Sequence, residues 1–445
     1  MIHKFANKSI FTILFCFLLN FSIISQVQNE NNEKTTDSLS LSSVIREVIQ
    51  SHPSIKEMEE AINDADTRIS LARTGYYPDI DATANYTRLG PTSSITLPQL
   101  GVFNLYPANN YSASLNFNEN IFDFGKTSRN IDYEKENKVL AKQNVELIKQ
   151  RLAMSSANCF FTLVYLQDAI VIKNEQLQDL QQHLDFIEKK IETGSGIQYE
   201  ALSTRVRISS VESQKIDLEA SLKIQQSVLN SLLGQPANTS NYIKGDLSPE
   251  LIDVTNDSLL SYAVDHRDEM TIAKEKTRLA ELHYDVLKTK NYPDINIFAS
   301  AGWKNGYIPN LNTLTANYVV GIGFTLPIFD ASRNKNNLLI AKSSILENNY
   351  ELEVNHRKII NEVVESEEKL KAASKKVDEY NLQLSQAQQA YSLAQVNYRE
   401  GAITNLDLLD AVTNVSETRL LLLKAQIDYS LNVYSLKQAI GERLY

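Results

Sequence analysis

The chain has 445 residues, with 54 Asp and Glu against 44 Lys and Arg, and its net charge of −10 is spread along the chain without a basic cluster. Because binding to phosphates requires a concentrated basic surface, this composition argues against a nucleic-acid partner. The low content of Gly (14) and Pro (10) favours long helices over a series of small domains.

The N-terminus predicts a signal peptide over residues 1–25. Lys4 and Lys8 precede an apolar run, and Ser25 supplies a small residue before a cleavage site. A retained membrane helix is the alternative interpretation. Cys16 lies in the middle of the apolar run and lacks the small neighbours of a lipid-attachment site.

No apolar stretch of about 18 residues is apparent after the signal peptide, so we expect no transmembrane helix in the mature chain. Any segments that cross a membrane must then be strands. The mature chain keeps only Cys159, which excludes an internal disulfide.

The mature chain is predicted to contain two related halves. Residues 42–80 align with residues 257–295 at an offset of 215, and the segments that begin at Gly194 and Gly401 align at an offset of 207. Each half indicates helix, strand, loop, strand, long helix, tight turn and helix. The predicted divisions are an extension at 26–40, a first repeat at 41–234, a linker at 235–256, a second repeat at 257–441 and a tail at 442–445.

Each half contains two corners where helix and strand meet. Tyr77-Pro78 and Tyr292-Pro293 follow a helical pattern, and proline both lacks the N–H that a helix interior needs and disfavours helical geometry in the residue before it. A tyrosine at such a corner suits the headgroup level of a membrane. On the return, Asp123 and Asp330 are predicted to cap the outgoing helices.

Four segments, at about 79–89, 111–121, 294–303 and 316–326, alternate apolar and polar residues as strands do. Each is about ten residues long, the length a tilted strand needs to cross a bilayer. A soluble sheet with one face on a core would show the same alternation, but the remaining chain offers little for it to pack on. Phe298 is the exception to the pattern, an apolar residue in a polar row. The residues predicted to face lipid are Ile80, Leu115, Phe117, Ile297, Trp303, Val320, Ile322 and Phe324.

Four strands cannot close a barrel, and open strand edges in lipid would leave backbone groups unpaired. We therefore expect several chains to close one barrel together. Two copies would give eight strands and a filled interior, whereas three would give twelve strands and a water-filled one. The polar inner row favours three copies, and the long helices that follow are predicted to form coiled coils.

The signal peptide, the repeat, the Tyr-Pro-Asp-Ile and Ile-Phe-Asp corners and the G-x-x-x-x-x-[DE] turns together resemble the TolC family of outer-membrane efflux proteins, over about residues 39–441. The resemblance implies a mainly α protein with a transmembrane β portion. Its trimer would form one twelve-stranded β-barrel in the outer membrane of a Gram-negative bacterium, continued by an α-barrel of coiled-coil hairpins across the periplasm. It would have no enzymatic activity and no cofactor.

The resemblance also implies partners, namely a periplasmic adaptor protein and an inner-membrane transporter of RND or ABC type. The trimer would be the exit channel of this tripartite export system for small toxic compounds or secreted polypeptides. The turns of the two hairpins, at Gly194-Ser195 and Gly401-Ala402, would dock the adaptor. The alternative for both glycines is that they only end helices in left-handed geometry.

Four residues match the family's periplasmic gate: Asp407, Asp410, Tyr398 and Glu200. Around a three-fold axis the two aspartates would form stacked carboxylate rings that raise one another's pKa and attract cations. Their alternative role is as acids in the first turn of a helix, with Asp407 spaced from a preceding threonine as in a capping box. Ile403 departs from the arginine of the best-known member, which puts a salt-bridge lock at that position in doubt.

Two other classes of function compete with an export channel. An enzyme is disfavoured because the chain lacks the common metalloprotease, hydrolase and nucleotide-binding motifs, and its histidines show no metal-ligand spacing and are interpreted as solvated helix residues. A periplasmic or surface coiled-coil scaffold without transport activity would explain the long helices. It would not explain the alternating strands.

Overall fold

The computed structural model describes residues 39–98, 101–239, 241, 243, 245 and 258–445. The predicted signal peptide, nearly all of the predicted extension at 26–40 and most of the predicted linker at 235–256 lie outside these residues.

The first half begins with two helices and continues through a 3₁₀ turn into strands. The elements are α1 (Leu41–Ser51), α2 (Pro53–Arg73), the 3₁₀ turn Thr74–Tyr76, β1 (Asp79–Arg88), β2 (Ser94–Leu97), β3 (Gly101–Asn104), β4 (Asn109–Phe122), α3 (Lys126–Glu192) and α4 (Gln198–Leu233). The short β2–β3 hairpin lies where sequence alone predicts a loop. β2, Ser-Ile-Thr-Leu, does alternate, but only over four residues, and β3 does not, so the pattern is too short to predict a hairpin.

The second half repeats the order of the first without the small hairpin. Its elements are α5 (Ser258–His266), α6 (Asp268–Lys288), the 3₁₀ turn Thr289–Asn291, β5 (Asp294–Lys304), β6 (Thr315–Thr325), α7 (Arg333–Arg399) and α8 (Asn405–Ala439). Both α3 and α7 have 67 residues, which corresponds to about 100 Å at a rise of about 1.5 Å per residue. The long helices therefore match in length between the two halves.

The sheet has the order β1-β4-β5-β6, and all three pairs of neighbours are antiparallel. β1 and β6 are its edges. The register is continuous except for an irregularity between Asn120 and Phe122, near the end of β4. Because side chains alternate along each strand, this register decides which residues of different strands share a face.

The register collects the apolar rows of all four strands on one face. Ile80 lies opposite Phe117, Leu115 opposite Ala301 and Ile322 opposite Ile297. Six of the eight residues predicted to face lipid are exposed, Ile322 by 74%, while Phe117 and Ile297 are half-buried. The other face carries the polar rows and is joined across strands by side-chain hydrogen bonds, such as Asn116 Nδ2 to Asp81 Oδ2 at 2.9 Å.

The helices pack side by side in a layer, and α3 lies in its interior. Beside the strands the neighbours run α2-α3-α6-α7, and farther along α3 they run α4-α3-α8-α7. The largest core packs α1 against the middle of α3, with Val44 and Val48 on one side and Phe160 and Leu163 on the other. The row beside the strands ends at α2 and α7, and the row farther along ends at α4 and α7; the short helices α1 and α5 contact α4 and α7, respectively.

Among the described residues, α3 contains an 18-residue window apolar and long enough to cross a membrane, and half of that window is buried. The prediction that no such stretch follows the signal peptide is therefore wrong. The window is present in the sequence itself, for example in the apolar run that begins at Cys159. The buried side chains of α3, Phe160 and Leu163 among them, pack against α1, as expected of a core helix.

Candidate functional site

The two helix-to-strand corners share one geometry. At each, a 3₁₀ turn ends in a tyrosine whose N–H donates to a threonine carbonyl, Tyr77 to Thr74 and Tyr292 to Thr289, at 2.9 Å. Pro78 or Pro293 follows, and the strand begins at the next residue. The proline cannot continue the helical hydrogen bonding, so the chain extends there.

The strand-to-helix corners place their aspartates slightly outside the predicted capping position. The N-cap residues are Gly125 and Ser332, each two residues after Asp123 or Asp330. The carboxylates nevertheless accept the N–H of the second helical residue, at 2.7 Å and 2.8 Å. They satisfy backbone donors at the start of α3 and α7, as a capping side chain does.

At the opposite end of the long helices lie two hairpin turns. We name residues 193–197, between α3 and α4, the first tip, and residues 400–404, between α7 and α8, the second tip. Gly194 and Gly401 have φ angles of 78° and 73°, which are left-handed values that favour glycine. A Cβ added to either glycine would meet no atom within 4 Å, so both backbones are open to the surroundings.

The first tip closes as a tight hydrogen-bonded turn. The N–H groups of Ser195 and Gly196 both donate to the carbonyl of Lys190, at 2.9 Å and 3.0 Å. A Cβ on Gly196 would lie 2.6 Å from the backbone nitrogen of Ile191, so this glycine is required by close packing. α4 then begins at Gln198, and its N-cap residue Ile197 provides no side-chain hydrogen bond.

The second tip is followed by a complete capping box. The N–H of Asp407 donates to Thr404 Oγ1 at 3.3 Å, and the Asp407 carboxylate accepts the N–H of Thr404 at 2.8 Å. Sequence spacing offers this role as the alternative to a gate, and the structure contains it. The Thr404 hydroxyl also donates to the Asp407 carboxylate, at 2.6 Å, and this bond, together with that from the Thr404 N–H, lowers the pKa of the exposed Asp407 carboxyl. Within one chain the predicted rise in its pKa is therefore absent.

Asp410 lies one turn farther along α8. Its Oδ1 is 3.2 Å from Nη2 of Arg207 on α4. Asp407 and Asp410 both line a groove of about 580 Å³ between α7 and α8, together with Glu417. The two aspartates thus face one acidic groove, and an arginine from the first hairpin reaches one of them.

Tyr398 and Glu200, the other two candidate gate residues, are in contact. Tyr398 Oη donates to Glu200 Oε2 at 3.1 Å and links the end of α7 to the start of α4. Tyr398 is 4% exposed, and burial together with the charge of Glu200 raises the pKa of its hydroxyl. The tyrosine therefore remains a protonated donor to the carboxylate.

A second polar link between the hairpins is not predicted by sequence. Buried Asn405 begins α8, and its Oδ1 lies 2.6 Å from His183 Nε2 on α3. Its Nδ2 donates to Ser203 Oγ on α4 at 3.0 Å. Burial lowers the pKa of His183 despite this hydrogen bond. The interpretation of His183 as a solvated residue is therefore wrong, and its pairing with Asn405 arises only because α3 and α8 are adjacent.

Exposed apolar side chains surround the first tip. Ile197 lies in the turn, and Tyr199, Leu202 and Val206 follow along α4; all four are exposed. The last three have the spacing of one helix face. This spacing is visible in the sequence and could have identified the surface.

Residues 44–235 and 259–442 match the protein family described as outer membrane efflux protein. The chain is 21% identical to outer membrane protein TolC of Salmonella enteritidis over 95% of its length and 84% of that protein. It is 23% identical to cation efflux system protein CusC of Escherichia coli K12 over 74% of its length and 73% of that protein. Its fold resembles the crystal structure of outer membrane protein VceC from Vibrio cholerae, with a TM-score of 0.74 and 20% identity, over 91% of this chain and 97% of that one.

Proposed function

The chain belongs to the family of outer membrane efflux proteins, and from this we propose that three copies form the outer-membrane exit channel of a tripartite export system. The channel carries small toxic compounds or secreted polypeptides out of the cell. It works as a conduit, without enzymatic activity of its own.

The observation that carries the proposal is the open four-stranded sheet with one apolar and one polar face. β1 and β6 leave a row of backbone groups unpaired, and in lipid each unpaired group costs several kcal/mol. Pairing β6 of one copy with β1 of the next removes both edges. Three copies give twelve strands, an apolar face towards lipid and a polar lumen wide enough for water.

The helical layers support the same assembly. α7 lies at an open end of both layers, and its exposed Leu339, Leu346 and Tyr350 have the spacing of one helix face. α4 lies at the other end of the layer nearer the tips, with the exposed Tyr199 and Val206. Burial of these residues against neighbouring copies extends the wall of the pore through the periplasm.

The assembly is tested by extraction and electrophoresis of the mature protein. We expect the protein to require detergent, to run as a trimer on an unheated gel and as a monomer after heating, and to conduct ions in a planar lipid bilayer. A mature chain that stays folded, monomeric and dispersed in buffer without detergent would refute the pore. That outcome would favour the coiled-coil scaffold.

We assign adaptor docking to the two tips, at Gly194-Ser195 and Gly401-Ala402. The glycines keep the backbone accessible because a Cβ there would meet open space. Asparagine tolerates left-handed geometry, so Gly194→Asn and Gly401→Asn place a side chain at the docking surface without breaking the turn. We expect both variants to lose cross-linking to a periplasmic adaptor while the trimer persists.

Gly234→Asn is the matched control for adaptor docking. Gly234 also has a left-handed φ, of 69°, and a Cβ added to it would likewise meet no atom within 4 Å, but it ends α4 far along the chain from both tips. Unchanged adaptor cross-linking in Gly194→Asn and Gly401→Asn would remove the tips from this role and leave the pore intact.

We assign the periplasmic gate to Tyr398, Glu200, Asp407 and Asp410. The Tyr398–Glu200 hydrogen bond holds the second hairpin against the first, and Arg207 supplies a positive charge to Asp410 that Ile403 cannot supply. Combined Asp407→Ala and Asp410→Ala should weaken the block of single-channel current by cations. Unchanged block would exclude the two aspartates from the constriction.

A further inference from the structure

The polar face of the sheet carries a phenylalanine that takes no part in its hydrogen-bond network. Phe298 lies on β5 between Asn118 of β4 and Gly321 of β6. The four strands β1, β4, β5 and β6 are described in full, and within them Phe298 is the one aromatic residue on this face. Its side chain is 40% exposed.

Glycine shapes the position of the Phe298 ring. A Cβ added to Gly321 would lie 2.4 Å from Phe298 Cζ and 2.9 Å from Cε2, so the distal end of the ring rests above the backbone of β6. The ring thus lies down on the sheet rather than projecting from it. Gly302 and Gly323 lie on the same face of the sheet. Because they have no side chains, they leave the surface around the Phe298 ring flat.

The two parts of the polar face differ in chemistry. Across β1, β4 and β5, side chains bond one another, as Asn116 does with Asp81 at 2.9 Å and Ser300 does with Asn116 at 2.9 Å. Across β5 and β6, Phe298 and exposed Val319 replace such groups. An apolar patch therefore interrupts an otherwise hydrogen-bonded surface.

Two carboxylates lie on the same face of the sheet as the ring, two strands away on β1. Asp79 is in the same row as Phe298, since Asp79 is opposite Asn118 and Asn118 is opposite Phe298. Asp81 is in the next row on the same face. At a strand spacing of about 4.8 Å, the backbone of Asp79 is about 10 Å from that of Phe298. An aromatic surface and negative charge at this separation suit a flat aromatic molecule that carries a positive charge.

We propose that Phe298 is a specificity-determining residue of the lumen. Its ring retains flat aromatic cations, and Asp79 and Asp81 attract the positive charge of these cations. This inference rests on the proposed pore, in which the polar face lines the lumen. Three copies would place three such rings at one height. Each ring offers an aromatic compound in the lumen a weak binding contact that a small hydrophilic solute does not make.

The test uses purified full-length protein in planar lipid bilayers and compares two blocking cations. Ethidium is a flat aromatic cation, and tetraethylammonium carries the same charge without a ring. For Phe298→Leu we expect the half-blocking concentration of ethidium to rise about two- to tenfold, the factor expected for loss of one aromatic contact. Block by tetraethylammonium should not change.

Phe117→Leu is the matched control, because Phe117 precedes Asn118 and lies on the opposite face of the same sheet. It should leave ethidium block unchanged. Gly321→Ala is a second variant that forces the ring to move, and it should change ethidium block without affecting tetraethylammonium. Phe298→Tyr keeps the ring and should retain the wild-type value.

The outcomes distinguish failure of the proposed pore from failure of the role of Phe298. A wild-type protein that never conducts would refute the pore and with it the role of Phe298. A conducting pore whose ethidium block is the same in wild type, Phe298→Leu and Gly321→Ala would refute the role of Phe298 alone. Equal losses of block by both cations would assign the residue to the width of the lumen instead, and would also refute the aromatic specificity.

Discussion

The two hairpin tips have the same backbone turn and different chemistry. Gly194 and Gly401 adopt nearly equal φ angles, 78° and 73°, after helices of 67 residues each. Beyond the turn, α8 starts with a capping box, whereas the N-cap residue of α4, Ile197, provides no side-chain cap. The first tip exposes apolar side chains, and the second presents acids.

The two hairpins are held together by side-chain hydrogen bonds that run in both directions. Tyr398 and Asn405 of the second hairpin donate to the first, and Arg207 of the first hairpin donates to Asp410 of the second. A gate that opens by moving one hairpin must break these side-chain bonds and can leave both turns unchanged. The comparison therefore predicts that local stability resides in the links rather than in the glycines.

Asn405→Ala should have the strongest effect, because it removes the polar link that joins both helices of the first hairpin to the second. His183 loses its partner and Ser203 loses a donor, although the Ser203 hydroxyl keeps its own bond to the Glu200 carbonyl; an unsatisfied buried group costs about 1–3 kcal/mol. We expect the opening free energy of the first turns of α8 to fall by about 2–3 kcal/mol, measured by hydrogen exchange with mass spectrometry. Asn414→Ala, at an exposed site on the same helix, should change it by less than about 0.5 kcal/mol. Equal effects of the two substitutions would contradict the link.

Tyr398→Phe should have the next largest effect, because it removes only the hydroxyl that bonds to a carboxylate. Such a bond contributes about 1.5 kcal/mol, which corresponds to about a tenfold rise in the open population of the channel. Single-channel recording measures this population. Tyr391→Phe is the matched control, since the Tyr391 hydroxyl bonds only Gln395 of its own helix among the described contacts. An equal rise in the open population of Tyr391→Phe would show that the hydrogen bond between Tyr398 and Glu200 does not hold the channel closed.

Exchange of the capping residues should change the stability of the first turns of α8 and α4 in opposite directions. Thr404→Ala removes the cap of α8 and should destabilise its first turn by about 1 kcal/mol. Ile197→Ser supplies a cap to α4, three residues before Glu200, and should stabilise its first turn by up to about 1 kcal/mol. Hydrogen exchange of the two first turns measures both. Changes of the same sign at the two tips would contradict the difference in capping.

The smallest expected effect is a pH dependence of the link at His183. Burial lowers the pKa of its imidazole below 6.5. The Asn405 hydrogen bond and the charge of Glu200 favour the protonated form, and the charge of Lys190 disfavours it. The unfolded chain then binds more protons than the folded chain as the pH falls below about 6.5. The contribution of His183 is therefore complete above that pH and is lost as the pH falls through its folded-state pKa.

We expect protection of the start of α8, corrected for intrinsic exchange rates, to decrease between pH 7.5 and pH 5.5. His183→Gln cannot gain a charge and should flatten this dependence. Asp407 titrates at much lower pH, because its hydrogen bonds with Thr404 lower its pKa, so it should not contribute in this range. An identical slope in wild type and His183→Gln would exclude the histidine.

Much of the molecule follows from local pattern. The alternation of apolar and polar residues located all four long strands to within two residues, because a strand with two different environments must alternate. Proline located the helix-to-strand corners, since it lacks the N–H that a helix interior needs and disfavours helical geometry in the residue before it. The capping box at Thr404 and Asp407 was visible from spacing alone. These features depend on residues close together in the chain.

Other features depended on contacts between distant residues. The pairing of His183 with Asn405, the contact of Arg207 with Asp410 and the burial of the apolar window of α3 all arise from which helices are neighbours. Nothing in the sequence around His183 distinguishes it from a solvated helix residue. The elements, their faces and their corners follow from the sequence, because side-chain periodicity and backbone restriction act locally. Which polar groups lose water and find partners across the hairpins depends on how the helices pack, because burial is a property of the packed layer and not of any one helix.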